Sequence, residues 1–321
     1  MITKKKCPIT LLVLLVSLII VSVSKGVPTT SATAETTIQE ILLNITVLDR
    51  SDQMVRGLRK DDFRVLDNGK QQKILMFSSA GRPLSYALVV DTSGSMRKLM
   101  PTVVVAAKAI VNSNDPRDEA VVIRFTDNND INVAQNWTQD KALLSSALNG
   151  LEAHGGTSLI DATRGTAKYV ERHCESTDSG RRPAVIVVTD GLDKDSAIKE
   201  ERLIKDLQSM NVQLVFIGLV SELDKESGVM HQSEATTATK MLTELAAVSG
   251  GQAFFPKKPN EITAIAGTIT ERLRSQYEIA YAPDNLSDKK SYHKLEIQVT
   301  SPAGQGKYEV ITRRGYDWPI K

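Results

Sequence analysis

The chain has 321 residues, 41% of them hydrophobic and 24% charged, which is long enough for two domains and typical of a folded rather than a disordered protein. Its 40 basic and 38 acidic side chains nearly cancel, and residues 1–34 hold four lysines and no acid, so the remainder has 36 basic against 38 acidic groups. That leaves no basic excess to hold nucleic acid, and an aromatic content of 5% argues against a carbohydrate- or base-stacking surface.

Residues 1–34 read as an export signal or N-terminal anchor plus linker. Lys4, Lys5 and Lys6 precede an apolar run over residues 9–23, broken only by Thr10, Ser17 and Ser22. Small residues follow, with cleavage expected after Ser24 or after Ala34. The run is short for a full membrane span. The leading lysines keep that end in the cytoplasm, so the rest is expected outside: in the periplasm, at the cell surface or secreted, free or anchored at the inner membrane of a bacterium. Cys7 departs with a cleaved signal, which leaves Cys174 alone, expected to be partly buried and inert. Without a disulfide, stability must come from the core or a bound metal. The glycosylation patterns at Asn44, Asn136 and Asn285 are read as chance.

Residues 35–82 form an N-terminal β segment. Residues 41–47 read as a strand. Residues 63–66 and 74–77 flank Asp67-Asn68-Gly69-Lys70, a hairpin signal. Strands and helices then alternate over residues 83–275. The expected strands are 86–90, 120–125, 184–189, 212–218 and 251–255, with 131–137 as an edge strand. The expected helices are 100–112, 141–151, 159–173, 197–210, 238–248 and 260–274. Continuous apolar strands alternating with helices predict an α/β fold, a doubly wound, mostly parallel sheet covered on both faces. Residues 276–321 return to β, with period-two strands at 277–281, 295–299 and 308–311. The two β segments either pair into one discontinuous β-sandwich or each extend the central sheet.

The chemistry sits at strand ends. Asp91-Thr92-Ser93-Gly94-Ser95 closes the first buried strand. One carboxylate and two hydroxyls at alternate positions, with no Cys or His beside them, suit a hard divalent cation. Alone, this pentapeptide reads first as a Ser/Thr/Asp turn that caps the next helix. Asp190 ends another parallel strand, and Thr157 follows Gly155-Gly156 just before a helix. Sites in open α/β sheets form outside the carboxyl ends of the strands, so Asp91, Ser93, Ser95, Thr157 and Asp190 are expected on one rim. Asp193 and Asp195 are expected to cap the helix starting at residue 197. Only four histidines exist, His154, His173, His231 and His293. Of these, His154 alone is predicted near the rim, as a solvated loop residue, so Ser93 is not expected to act as a nucleophile. Trp137 and Trp318 are read as packing residues, with Tyr316-Asp317-Trp318 docking the tail.

Asp91-x-Ser93-x-Ser95, Thr157 and Asp190-Gly191 resemble the metal-ion-dependent adhesion site of von Willebrand factor type A domains, with all five motif positions filled. The likeness covers roughly residues 84–274. The flanks, residues 57–65 and 276–316, resemble a bacterial subfamily often called the acidobacterial type. The resemblance implies that Ser93, Ser95 and Thr157 hold Mg2+ (or Mn2+ or Ca2+) through oxygen while Asp91 and Asp190 act mainly through water. An Asp or Glu carboxylate from a protein partner would complete the shell, and a shift of the last helix, residues 260–274, would tune the site. The expected function is divalent-metal-dependent protein–protein binding, in adhesion or envelope-complex assembly, and not catalysis. Two alternatives are a scaffold with a stabilising metal and a metal- or Ser93-dependent hydrolase.

Overall fold

In chain order the strands are β1 (Ile41–Leu48), β2 (Phe63–Asp67), β3 (Lys70–Gln72), β4 (Ile74–Ser78), β5 (Leu84–Asp91), β6 (Glu119–Phe125) and β7 (Ile131–Thr138). They continue as β8 (Arg182–Thr189), β9 (Gln213–Gly218), β10 (Ala253–Phe254), β11 (Tyr277–Tyr281), β12 (Tyr292–Val299), β13 (Glu309–Ile311) and β14 (Gly315–Asp317). The helices are α1 (Met100–Asn112), α2 (Lys141–Asn149), α3 (Leu159–Thr177), α4 (Glu200–Ser209), α5 (Val229–Ser249) and α6 (Glu261–Arg274). The computed structural model describes residues 40–127, 130–177, 180–221, 229–258, 260–284, 292–300 and 307–318, all within one unit, Gln39–Lys321. The expected export segment, the Asn285 pattern and the middle of the turn at 128–129 lie outside the described residues. Among the described residues no helix is long and apolar enough to cross a membrane.

Six strands form the central sheet in the order β10-β9-β8-β5-β6-β7. All pairings are parallel except β7, which returns antiparallel along β6 as the expected edge strand. Strand β5 is buried at every position, as a strand covered on both faces has to be. Val103, Ala107 and Ile110 of α1, Leu144 and Leu148 of α2, and Ile262, Ala266 and Ile269 of α6 pack on one face. Residues of α3, α4 and α5, including Leu159, Leu203 and Leu242, cover the other.

The two β segments pair with each other. One four-stranded antiparallel sheet has the order β13-β1-β11-β4 and a second has β14-β12-β2-β3. Each sheet takes strands from both ends of the chain, and their apolar faces share one core. Phe63 of β2 lies 5.1 Å from Tyr277 of β11 and 5.6 Å from Phe77 of β4, ring centre to ring centre. This is the discontinuous sandwich alternative.

The expected hairpin is altered. Asn68 and Gly69 both have positive φ, 50° and 79°, the geometry of a tight two-residue turn. That turn pairs Asp67 with Lys70, so the partner of β2 is β3. Strand β4 crosses to the other sheet and pairs with β11, which lets Ile74 enter the sandwich core from the opposite face.

A polar knot sits inside the sandwich. The buried Asp67 carboxylate accepts hydrogen bonds from Tyr281 Oη (2.9 Å) and Tyr316 Oη (2.7 Å), and His293 Nδ1 lies 2.8 Å from its other oxygen. Through Tyr316 this knot docks the tail, with Trp318 edge-on to the Tyr316 ring. Trp137 also packs as expected, stacked on His173 at 3.9 Å. Cys174 is half-buried, and burial pushes its thiol up to about 11, which keeps it protonated and unreactive.

Candidate metal centre

Asp91 is the last residue of β5 and is fully buried. Its Oδ1 accepts the Ser93 backbone N–H at 2.9 Å, and its Oδ2 accepts the Thr189 hydroxyl at 2.6 Å. Ser93 stands at the start of a 3-10 turn, Gly94–Lys98, in extended backbone, and its hydroxyl is 3.1 Å from that of Ser95.

Backbone hydrogen bonds stitch the loops together. Gly94 N–H donates to the Gly155 carbonyl at 3.1 Å, and His154 N–H donates to the Thr92 carbonyl at 2.8 Å. The Thr157 carbonyl accepts from Lys194 and Asp195 N–H at 2.9 and 3.0 Å. Thr157 N–H donates to Asp195 Oδ2 at 2.8 Å. Asp190, 1% exposed, follows β8, and its Oδ1 accepts Leu192 N–H at 3.0 Å. The three predicted loops therefore meet. Asp91, Ser93, Thr157 and Asp190 are buried and Ser95 is exposed.

Two carboxylates share this interior. Burial, and then the nearby Asp190 charge, push the Asp91 carboxyl up from 3.8 to about 7. Among the described residues no Lys, Arg or His side chain pairs with Asp91 or Asp190. Nor do the described residues gather three or more His, Cys, Asp or Glu side chains in ligating positions, so a cation bound here has to draw on the serine and threonine hydroxyls. Such hard oxygen donors fit a Mg2+-type ion and not zinc.

Asp193 and Asp195 do not cap α4 as expected. Asp193 Oδ1 accepts from Ile160 N–H at 3.2 Å and from the Ser196 hydroxyl, while Asp195 holds Thr157. Both support the start of α3, where unpaired backbone N–H groups attract acids. Helix α4 begins only at Glu200, too far along for them to reach. Thr189 is the site residue that sequence reasoning missed. Its hydroxyl donates to Asp91 and accepts Gly191 N–H at 3.0 Å, joining two of the loops. Its one sequence signal is a hydroxyl residue directly before a strand-end aspartate.

His154 is 55% exposed at its side chain, and its Nε2 lies 3.2 Å from Asp130. The Arg124 guanidinium beside Asp130 holds that carboxyl down at about 2. The Ser93 hydroxyl lies beside that of Ser95 and engages the Asp91 carboxylate, and among the described side chains no histidine contacts it.

Residues 86–192, which include all five motif positions, match the von Willebrand factor type A domain family. The chain contains a von Willebrand factor type A domain. Such domains typically engage other proteins. Among solved structures, the chain resembles an aerotolerance-related membrane protein from Bacteroides fragilis (17% identity, TM-score 0.46, 59% of this chain and 98% of that one). It also resembles BatB from Bacteroides thetaiotaomicron (17% identity, TM-score 0.42, 59% and 98%). A von Willebrand factor type A protein from Catenulispora acidiphila matches over 83% of this chain and 77% of that one, at 13% identity and TM-score 0.45. No curated protein matches the chain.

Gly156 tests the packing of the type A rim. A Cβ there would overlap the Asp195 carboxylate, which would have to release Thr157 N–H. Gly156→Ala is expected to weaken Mg2+ binding by about tenfold and to destabilise the protein by about 1–2 kcal/mol. Calorimetric titration with Mg2+ and urea unfolding measure the two effects.

Proposed function

We propose that the type A domain binds another protein through a divalent ion, in adhesion or envelope-complex assembly outside the cytoplasmic membrane. The observation that carries this reading is the buried Asp91–Asp190 pair with no cationic side chain paired to it among the described residues. Burying two carboxylates without compensation is costly, and a divalent cation supplies the missing charge. Ser93, Ser95 and Thr157 would hold Mg2+, with Asp91 and Asp190 behind them. With neutral hydroxyls as direct ligands, the ion offers a Lewis-acidic position for a partner's Asp or Glu carboxylate. The chain's own part is to fix the hydroxyls: Thr189 orients Asp91, Asp91 orients Ser93, and Asp195 fixes Thr157.

A binding role is favoured over hydrolysis because, among the described side chains, no histidine reaches the Ser93 hydroxyl, which Ser95 and the Asp91 carboxylate engage. Mn2+ and Ca2+ suit the same oxygens. The N-terminal apolar run supports export, either with cleavage or with retention as an anchor.

Affinity capture from an envelope extract tests this reading. A partner is expected to be retained in Mg2+, released by EDTA, and not retained by Ser95→Ala. Retention indifferent to both would rule out the metal bridge. A large Mg2+-induced rise in melting temperature without any metal-dependent capture would leave the scaffold reading instead.

A further inference from the structure

Two segments that carry or adjoin site residues are clasped in both directions. Residues 157–161 hold Thr157 and the start of α3, and residues 193–198 follow directly on Asp190-Gly191-Leu192. From the first segment, Thr157 N–H donates to Asp195 Oδ2 at 2.8 Å, Ile160 N–H to Asp193 Oδ1 at 3.2 Å and Asp161 N–H to Ser196 Oγ at 3.1 Å. From the second, Lys194 and Asp195 N–H donate to the Thr157 carbonyl, Ala197 N–H to Asp161 Oδ2 at 2.7 Å and Ile198 N–H to Asp161 Oδ1 at 3.3 Å. The Ser196 hydroxyl closes the clasp on Asp193 Oδ1 at 2.6 Å. The spacer between Asp190 and the clasp is short and held. Gly191 N–H donates to the Thr189 hydroxyl and Leu192 N–H to Asp190 itself. Gly191 has φ 84°, and a Cβ there would lie 2.8 Å from the Ala238 Cβ of α5. The Thr157 backbone is thereby fixed to the loop that carries Asp190.

Mg2+ is small, keeps several waters and demands near-octahedral ligands, whereas Ca2+ takes more oxygens in a flexible geometry and gains from direct carboxylates. A rigid frame with neutral hydroxyls in front and carboxylates behind them suits the first ion. A loop free to swing Asp190 inward suits the second. We propose that the clasp sets the ion preference of the centre, with Asp161, Asp193 and Ser196 as positioning residues that act through Thr157 and Asp190 to favour Mg2+ over Ca2+. This rests on the metal-centre reading above. Both bonds of Asp193 use one oxygen, so Asp193→Asn retains them while Asp193→Ala loses them, which separates position from charge.

Calorimetric titration of the full chain with Mg2+ alone and with Ca2+ alone tests the clasp, with urea unfolding to confirm that each variant is folded. The unaltered protein is expected to bind Mg2+ more tightly than Ca2+. Asp161→Ala and Asp193→Ala are expected to lower Mg2+ affinity about tenfold and Ca2+ affinity about twofold, so that the preference narrows about fivefold. Asp193→Asn is expected to keep the preference within about twofold of the unaltered protein. Hydrogen exchange in EDTA gives a readout without metal: the Ala197 and Ile198 amides should lose protection in Asp161→Ala. Should Asp161→Ala fail to fold, Ser196→Ala, which removes only the hydroxyl link, is expected to narrow the preference in the same direction. Exposed amides with an unchanged Mg2+/Ca2+ preference would overturn the inference and leave the metal centre standing. So would tighter Ca2+ binding by the unaltered protein, or Asp193→Asn narrowing the preference as far as Asp193→Ala, since charge and not position would then be the cause. Failure of the unaltered chain to bind either ion would remove the metal centre and this inference with it.

Discussion

Replacing Arg182 with alanine is expected to destabilise the protein by about 3–5 kcal/mol, the range for removing one partner of a buried charged network. Arg182 opens β8 and is 2% exposed. Its Nε donates to Asn44 Oδ1 of β1 at 3.1 Å, its Nη1 donates to the Leu273 carbonyl at the end of α6, and its Nη2 lies 3.9 Å from Glu278 of β11. One side chain thus ties the central sheet, the last helix and the sandwich. Burial pulls its ionisation down to about 10 against the opposing Glu278 charge, so it remains protonated at neutral pH. Alanine would leave the Asn44 amide oxygen and the Leu273 carbonyl without a donor in the interior. Arg182→Lys should recover little, since a single ammonium cannot reproduce the forked geometry. Arg82, 2.5 Å from Glu278, still neutralises that carboxylate in either variant, so a Glu278→Gln background should change the result only slightly. Urea unfolding gives the numbers, and a loss under 1 kcal/mol for Arg182→Ala would show that the joint does not depend on this residue.

The tie bears on the last helix. Arg272 pairs with Asp52 at 2.6 Å, Arg274 with Asp118 at 2.8 Å and Glu271 with Arg56 at 2.8 Å. After Ser275 and Gln276 the chain enters β11, which is hydrogen-bonded to β1 on one side and β4 on the other. Sliding α6 along its axis would drag β11 out of register, and a one-residue slip turns every side chain of a strand to the wrong face. This geometry opposes the helix shift that the family resemblance implies.

Without metal, the protein is expected to become less stable as pH rises from 4 to 8. The Asp91 carboxyl is raised from 3.8 to about 7 by burial and by Asp190. A carboxyl with a folded-state value above its unfolded one contributes stability that is fully present below about 4 and is lost as pH climbs through about 7. Roughly three units correspond to about 4 kcal/mol between those limits. Saturating Mg2+ should reverse the loss at pH 8, adding about 3 kcal/mol at a hundredfold excess over its dissociation constant. Its affinity should rise with pH until Asp91 is ionised. Asp91→Asn removes the charge that both effects need. The variant should show a flat melting temperature across this range in EDTA and no shift with Mg2+. A Mg2+ shift that survives Asp91→Asn would place the ion elsewhere.

Much of this was legible in the chain. The central strands are continuous apolar runs because both faces are covered, and that pattern needs no partner to be recognised. Asp91, Ser93 and Ser95 are readable because a strand end and a short loop place them locally. Other features had no local signal. Asp195 and Thr157 are 38 residues apart and Arg182 and Asn44 are 138 apart, so nothing in either neighbourhood announces the bond. The choice of β3 over β4 as the partner of β2 followed from turn geometry and from the core awaiting Ile74 in the other sheet.

By itself, the sequence determined the alternation of elements, the strand ends that carry the oxygen groups and the charge balance, because periodicity and composition act over a few residues. The tertiary structure alone decided which acids hold which loop, that Thr189 orients Asp91, and that the two chain ends make one sandwich clamped to the type A domain through Arg182. Those outcomes depend on long-range closure, in which a buried polar group finds its partner only after the backbone has brought distant segments together.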